Sequence, residues 1–318
     1  MAQVETVRGP VDVDSLGCTL MHEHVFILND EISKNYPAEW SEDDRVDEAI
    51  VKLNALVARG CQTIVDPTVV GLGRDIKRIR RVADGTDLNI VVATGLYTYN
   101  ELPFYFSYRL PGEDGVDPMV AMFVGDLTEG IAGTGVKAAF LKCAIDEHGL
   151  APGVERAMRA VGRAHAETGA PITVHTHPAS GTGRDVLRVL KEEGADLTKV
   201  VLGHSGDTTD VDYLTEMADA GCLLGMDRFG LDMFLPGEDR VATVAAMCER
   251  GYAGSMVLSH DASCYIDWGP PETIPMFLPN WHYEHLFNDV LPALRSRGVS
   301  DEQINMMLVD NPRRYFGA

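Results

Sequence analysis

The chain has 318 residues, 45% hydrophobic and 24% charged, a globular balance that excludes a disordered protein and suits one large α/β domain spanning 1–318. With 27 basic against 48 acidic side chains the net charge is −21, so the surface repels phosphate backbones and anionic membranes; neither nucleic acid nor a membrane is an expected partner. No apolar run reaches membrane-spanning length, the N-terminus lacks a secretory leader pattern, and the six cysteines are scattered without close pairs; these features predict a soluble, cytoplasmic protein with reduced thiols.

Short β-branched or apolar runs alternate with longer amphipathic stretches almost from end to end, the pattern of repeated βα units around a parallel sheet. The first run, 19–27, carries His22 and His24 one residue apart, and in an extended strand both imidazoles leave the same face and converge. Seven further strand-like runs follow at 63–69, 89–97, 138–145, 171–177, 200–205, 222–229 and 255–262. Helical patterns lie between them at 44–59, 154–168, 184–193, 210–220 and 239–250, several ending in glycine as a helix C-cap should. Two aromatic, Pro- and Gly-rich segments, 98–118 and 263–279, break the rhythm and read as loops, while 281–297 and 300–308 read as a last barrel helix and a short closing one. Eight strands with intervening helices, and no Gly-x-Gly-x-x-Gly after the first, predict a single-domain (β/α)8 TIM barrel.

In such a barrel the C-terminal strand ends surround one mouth. Here those ends carry His22 and His24, His175, His204 and Asp261, with Lys142 on the fourth strand, a donor set for two divalent cations. Two cations held close together repel and need an anionic bridge. Lys142 taken alone reads as a lysine salt-bridged to Asp66, Asp146 or Glu147; in this company it reads as a neutral amine that adds carbon dioxide to become a bridging carbamate. His260 alternates to the face opposite Asp261 and reads as a packed or supporting residue.

The motifs Met21-His-Glu-His24, Gly71-Leu-Gly-Arg74, Leu141-Lys-Cys143, Gly203-His204, Met226-Asp-Arg228-Phe229, Ser259-His-Asp261, Asp267-Trp-Gly269 and Asp310-Asn-Pro-Arg-Arg314 resemble the phosphotriesterase family of the amidohydrolase superfamily. More narrowly they resemble its phosphotriesterase-like lactonases, and the likeness covers essentially the whole chain. It implies a binuclear centre of zinc, or of cobalt, iron or manganese: one metal on His22, His24 and Asp261, the other on His175 and His204, with N6-carboxylated Lys142 and a hydroxide between them. It implies that the hydroxide opens lactones, N-acyl-homoserine or aliphatic, with organophosphate triesters as a side activity. Asp261 would move the proton, and Tyr97 and Arg228 would sit at the reacting centre. A homodimer follows from the same likeness, and His177 is excluded as a ligand. Tyr99, Phe104, Tyr105, Phe106, Trp268, Pro270, Pro271, Met276 and Phe277 are expected to form an apolar groove for an acyl chain or, residue by residue, to pack the loops. The residues alone leave two other readings open, amide or deaminase chemistry in the same cage, and a weakly active barrel that binds a hydrophobic ligand.

Overall fold

The computed structural model describes residues 2–36, 40–112 and 115–317. An antiparallel hairpin, β1 (Gln3–Thr6) and β2 (Gly9–Asp12), precedes the barrel. The staves then follow in chain order: β3 (Thr19–Leu20) with β4 (His24–Ile27), β5 (Thr63–Asp66), β6 (Asn89–Gly95), β7 (Phe140–Ala144), β8 (Ile172–His175), β9 (Val200–Gly203), β10 (Leu223–Met226), and β11 (Met256–Leu258) with β12 (Ser263–Ile266). The sheet order is β11-β10-β9-β8-β7-β6-β5-β3, each neighbour parallel. This is the predicted TIM barrel.

Its first and last staves are each interrupted, where the sequence suggests continuous runs. β3 and β11 end early, and the seam is closed higher up, where β4 pairs in parallel with β12. His24 N–H donates to the Ala262 carbonyl at 2.8 Å and Asp261 N–H to the His22 carbonyl at 3.0 Å, so the closing bonds run through the candidate ligands themselves. The expectation of a loop from 263 onward is therefore corrected: its first four residues are strand β12.

The helical patterns appear within about two residues of their expected ends, as Glu42–Ala58, Pro152–Thr168, Gly183–Glu192, Val211–Asp219 and Gly237–Glu249. Two crossover helices are added to these. Ile76–Ala83 starts where Asp75 accepts from the Lys77 and Arg78 amides, and Pro118–Thr128 starts where Asp117 accepts from the Met119 amide with proline at the first turn. At the C-terminus, 281–297 becomes helical only from Leu286, and the closing segment is the capped turn Asp301–Asn305 followed by Met306–Asp310 and Asn311–Gly317. No helix among the described residues is long and apolar enough to cross a membrane.

Strand alternation divides the interior into two cores. Outward residues such as Ile64, Val92, Leu141, Val174, Leu202 and Leu224 pack beneath the helices. Inward ones, Val65, Val91, Phe140, Val201, Leu223 and Val257, fill the barrel floor with Val4 and Val13 from the hairpin region and Tyr315 from the last helix. Tyr315 hydroxyl meets Thr173 Oγ1 at 3.0 Å, so the chain's end plugs the floor. Two residues further along the same inward faces come Lys142, His175, Gly203, Gly225 and Ser259, polar or small where the residues below are bulky. Floor and mouth thus belong to alternate layers of the same strands.

Gly95 shows how tightly the mouth is built. Its φ is +146°, and a Cβ there would lie 1.8 Å from the Lys142 carbonyl oxygen. Gly95→Ala is expected to lower stability by roughly 2–4 kcal/mol through overpacking, read as a drop in the thermal unfolding midpoint. An unchanged midpoint would show that β6 and β7 need no such close approach.

Candidate metal centre

The structure brings His22, His24, Lys142, His175, His204 and Asp261 from five staves to the barrel mouth. The imidazoles and Lys142 are all buried, while the Asp261 side chain keeps 14% exposure. Asp261 Oδ1 lies 3.3 Å from both His22 Nε2 and His24 Nε2. The ring centroids of His22 and His204 are 4.9 Å apart, and those of His204 and His175 4.4 Å. Lys142 Nζ is buried without a hydrogen-bond partner among the described residues, so the salt bridge to Asp66, Asp146 or Glu147 that a lone lysine suggests is absent from these contacts.

Each imidazole has one nitrogen bonded to an orienting group. Asp227, just beyond β10, accepts from His22 Nδ1 at 2.8 Å through one oxygen, and through the other from His204 Nδ1 at 3.0 Å and the His204 amide at 2.8 Å. His24 Nδ1 meets Thr68 Oγ1 at 2.7 Å, and Thr68 in turn donates to Asp66. His175 Nε2 donates to Asp146 at 2.6 Å, leaving Nδ1 toward the Tyr97 hydroxyl at 3.3 Å. Such outer carboxylates select a tautomer and leave the other nitrogen's lone pair for a cation. Two triads have donor atoms within 4.8 Å of one another, His22–His24–Asp261 and His22–His204–Asp227. Because both Asp227 oxygens already accept from nitrogens, the second is an orienting network and the first is the open donor set.

The backbone is shaped for this convergence. His204 and Asp261 have φ of 64° and 55°, a left-handed conformation that costs on the order of 1–3 kcal/mol in a non-glycine residue and re-aims each side chain at its strand end. Gly225 leaves the space that Asp227 uses, since a Cβ there would lie 2.5 Å from Asp227 Oδ2.

The electrostatics favour neutral donors. Burial lowers His22, drives His175 down to about 4, and holds His204 well below its ordinary value, aided there by the nearby Arg228 charge. His24 is the exception: burial opposes its charging, but Asp261 and Asp66 outweigh it and raise it to about 9. Burial brings Lys142 down to about 8 although Asp261 and Asp227 pull the other way, so roughly a tenth of the amine is neutral at pH 7, far more than for an exposed lysine. Asp261 resists the upward push of burial because His22, His204, His24 and Arg228 surround it, and it stays well below the usual carboxylate range. A buried, orphaned, readily neutral amine among imidazoles and one carboxylate fits a carbamate-bridged pair of divalent cations.

At the rim, Arg228 Nε donates to Asp261 Oδ2 at 3.0 Å and its Nη1 to Asp207 at 2.8 Å, and the fully buried Arg240 donates to the other Asp207 oxygen at 2.6 Å. Tyr97 bonds the Tyr99 hydroxyl, and burial together with Tyr99 keeps its own hydroxyl well above the ordinary value. Phe104, Tyr105, Trp268 and Phe277 are exposed as a groove requires, but Phe106 is 3% exposed and belongs to the core, a correction to the expected lining. His177 bonds Ser180 rather than the cluster. His260 turns away, donating to Glu23 at 2.6 Å and accepting from the Leu286 amide. Glu23, fully buried, also accepts from the His260 and Ala262 amides and so ties the first stave to the last.

Asp227, Glu23, Asp66, Asp146 and Asp207 are site residues that motif reading leaves without a role. Their one sequence signal is an acid beside a strand-end ligand or just past a strand, and partner choice is decided across staves.

The profile of the phosphotriesterase family matches residues 2–316. The solved phosphotriesterase of Mycobacterium tuberculosis is 60% identical and superposes with a TM-score of 0.97, covering 99% of this chain and 98% of its own. A Deinococcus radiodurans PTE-like lactonase mutant is 33% identical at a TM-score of 0.91, covering 99% of this chain and 100% of its own. An aryldialkylphosphatase of Saccharolobus solfataricus is 39% identical over 311 residues, 97% of this chain and 98% of that one. With residues 2–316 matched and the metal-fitting barrel mouth in place, the chain belongs to the phosphotriesterase family of metal-dependent hydrolases.

Proposed function

We propose that this protein is a binuclear-metal lactonase that opens N-acyl-homoserine or aliphatic lactones, with organophosphate triesters as a slower side reaction. The observation that carries the reading is Lys142: a fully buried amine with no hydrogen-bond partner among the described residues, set among four histidines and Asp261. Its neutral form would add carbon dioxide, forming an N–C bond and releasing one proton, and the resulting carboxylate would supply an anionic ligand to offset the charge of two cations. His22, His24 and Asp261 would hold one ion, and His175 and His204 the other. When bound, divalent cations supply activation of water at neutral pH and polarisation of the scissile carbonyl.

The chain's own side chains account for the rest. Asp261 takes a proton from the attacking water and returns it to the alkoxide released by ring opening. Arg228 orients that carboxylate through Oδ2 and does not relay the proton, because a guanidinium keeps its own. The Tyr97 hydroxyl, held protonated, donates to the oxygen on which charge develops. Trp268 and Phe277 offer exposed apolar area for an acyl chain. A tetrahedral phosphorus centre has charge and shape close to those of the carbonyl transition state, which accounts for a triesterase side activity. The lactonase and aryldialkylphosphatase names borne by relatives support the same pair of chemistries.

Protein loaded with zinc or cobalt is expected to turn over acyl-homoserine and aliphatic lactones with kcat/KM roughly tenfold or more above that for a dialkyl aryl phosphate. Turnover of an N-acyl amide without lactone opening would overturn the assignment. Lys142→Ala is expected to lose bound metal and to lower kcat/KM by roughly a thousandfold, about 4 kcal/mol of barrier, with partial recovery in added formate or propionate. A fully active Lys142→Ala protein is incompatible with the carbamate bridge. Prolonged chelation should abolish activity and lower thermal stability together, and zinc with bicarbonate should restore both; restoration by zinc alone in carbon dioxide-free buffer would count against the carbamate.

A further inference from the structure

We propose that Cys18 and Cys61 form a peroxide-oxidisable dithiol that closes to a disulfide across the first two staves, at the end of the barrel opposite the metal centre. The pairing of Thr19 with Thr63 sets Cys18 beside Gln62: the Gln62 amide donates to the Cys18 carbonyl at 2.9 Å, and the Cys18 amide to Gln62 Oε1 at 2.7 Å. Cys61 Sγ lies 3.5 Å from the same Cys18 carbonyl oxygen and 3.4 Å from that of Thr63, so its thiol packs directly against residue 18. Cys61 is the residue before Gln62, so it lies one step along the chain from the position opposite Cys18; strands about 4.8 Å apart with a rise of about 3.3 Å per residue put such diagonal Cα atoms roughly 6 Å apart, within the roughly 4.4–6.8 Å that a disulfide accepts.

The two thiols divide the roles. Cys18 is partly exposed, whereas the other five cysteines are buried and all six are free. The neighbouring Cys61 thiol holds that of Cys18 below its ordinary value against burial. Burial, and then the Cys18 thiol, pushes Cys61 well up. Burial also raises Cys143, Cys222 and Cys264 to about 12 and Cys248 to about 11, so Cys18 alone combines access with thiolate character.

The oxidant is a hydroperoxide. The Cys18 thiolate attacks a peroxide oxygen, the O–O bond breaks, and the remaining oxygen leaves as hydroxide or alkoxide, giving a sulfenic acid. Cys61 sulfur then attacks the Cys18 sulfur: the S–S bond forms, the S–O bond breaks, and the hydroxyl departs as water with the Cys61 proton. Two thiols and one hydroperoxide become one disulfide, one alcohol or water, and one water.

The full-length metal-loaded protein, treated with stoichiometric hydrogen peroxide and then alkylated under denaturing conditions, supplies the test. Trypsin should yield peptide 9–34 joined to peptide 60–74, with the mass lowered by two hydrogens and the link lost in dithiothreitol. Cys61→Ser should stop at a Cys18 sulfenic acid that a dimedone probe captures, and Cys18→Ser should leave Cys61 reduced and alkylated. Both thiols fully alkylated after peroxide, a Cys18 sulfinic acid without cross-link in the unmodified protein, or oxidation that begins at Cys61 in Cys18→Ser would each overturn the proposal.

Discussion

The seam between the first stave and the last is the constraint on which the rest depends. A parallel barrel closes only when the two ends of its sheet hydrogen-bond, and here they do so where β4 meets β12. Had the closure formed lower, between β3 and β11, the His22–His24 segment and Asp261 would be free ends of strands. Because the bonds run from His24 to Ala262 and from Asp261 to His22, the backbone groups that close the cylinder belong to the residues whose side chains converge in its mouth. Glu23 reinforces the seam from the outer side, accepting two amides and one imidazole of the last stave. Fold closure and site assembly are therefore one event.

Around that seam, unfavourable burial is offset pairwise. Burial disfavours the charged forms of the imidazoles and of the amine, and carboxylates placed at their outer nitrogens restore order, outweighing burial only at His24. Asp227 orients two histidines at once, Asp66 acts through Thr68, and Asp146 sets His175. Among the described residues Lys142 is left outside this pairing. On the rim, the alternating series Arg240–Asp207–Arg228–Asp261 carries fixed charge from a buried anchor to the carboxylate that faces the cluster. Its outermost link, Arg228, fixes the orientation of Asp261 through Oδ2.

The two ends of the barrel have separate physical tasks. The floor is apolar and sealed by the hairpin and by Tyr315, while the mouth is polar, strained at His204 and Asp261, and bordered by exposed aromatics. The Cys18–Cys61 pair lies at the floor end of the first two staves, so oxidation there meets neither the donor set nor the rim.

The eight-stave architecture, most helix positions and the identity of the convergent residues were legible in the sequence, because alternation and helical periodicity are local properties and a polar residue ending an apolar run is conspicuous. His22, His24, Lys142, His175, His204 and Asp261 could be named on that ground alone. The interruption of the first and last staves was not legible, since β3 and β4 read as one unbroken run and β12 reads as the start of a loop until cross-stave hydrogen bonding defines them. Nor was the choice among acids: Asp227, Asp66, Asp146 and Glu23 look alike along the chain, and only three-dimensional proximity assigns each to its imidazole. Phe106 and the Cys18–Cys61 contact make the same point, because whether an aromatic lines a groove or fills a core, and whether two thiols meet, depends on which distant strands and helices are neighbours. Sequence patterns determine which face a residue presents; tertiary packing decides what that face meets, because burial and hydrogen-bond partners are supplied by segments tens to hundreds of residues away.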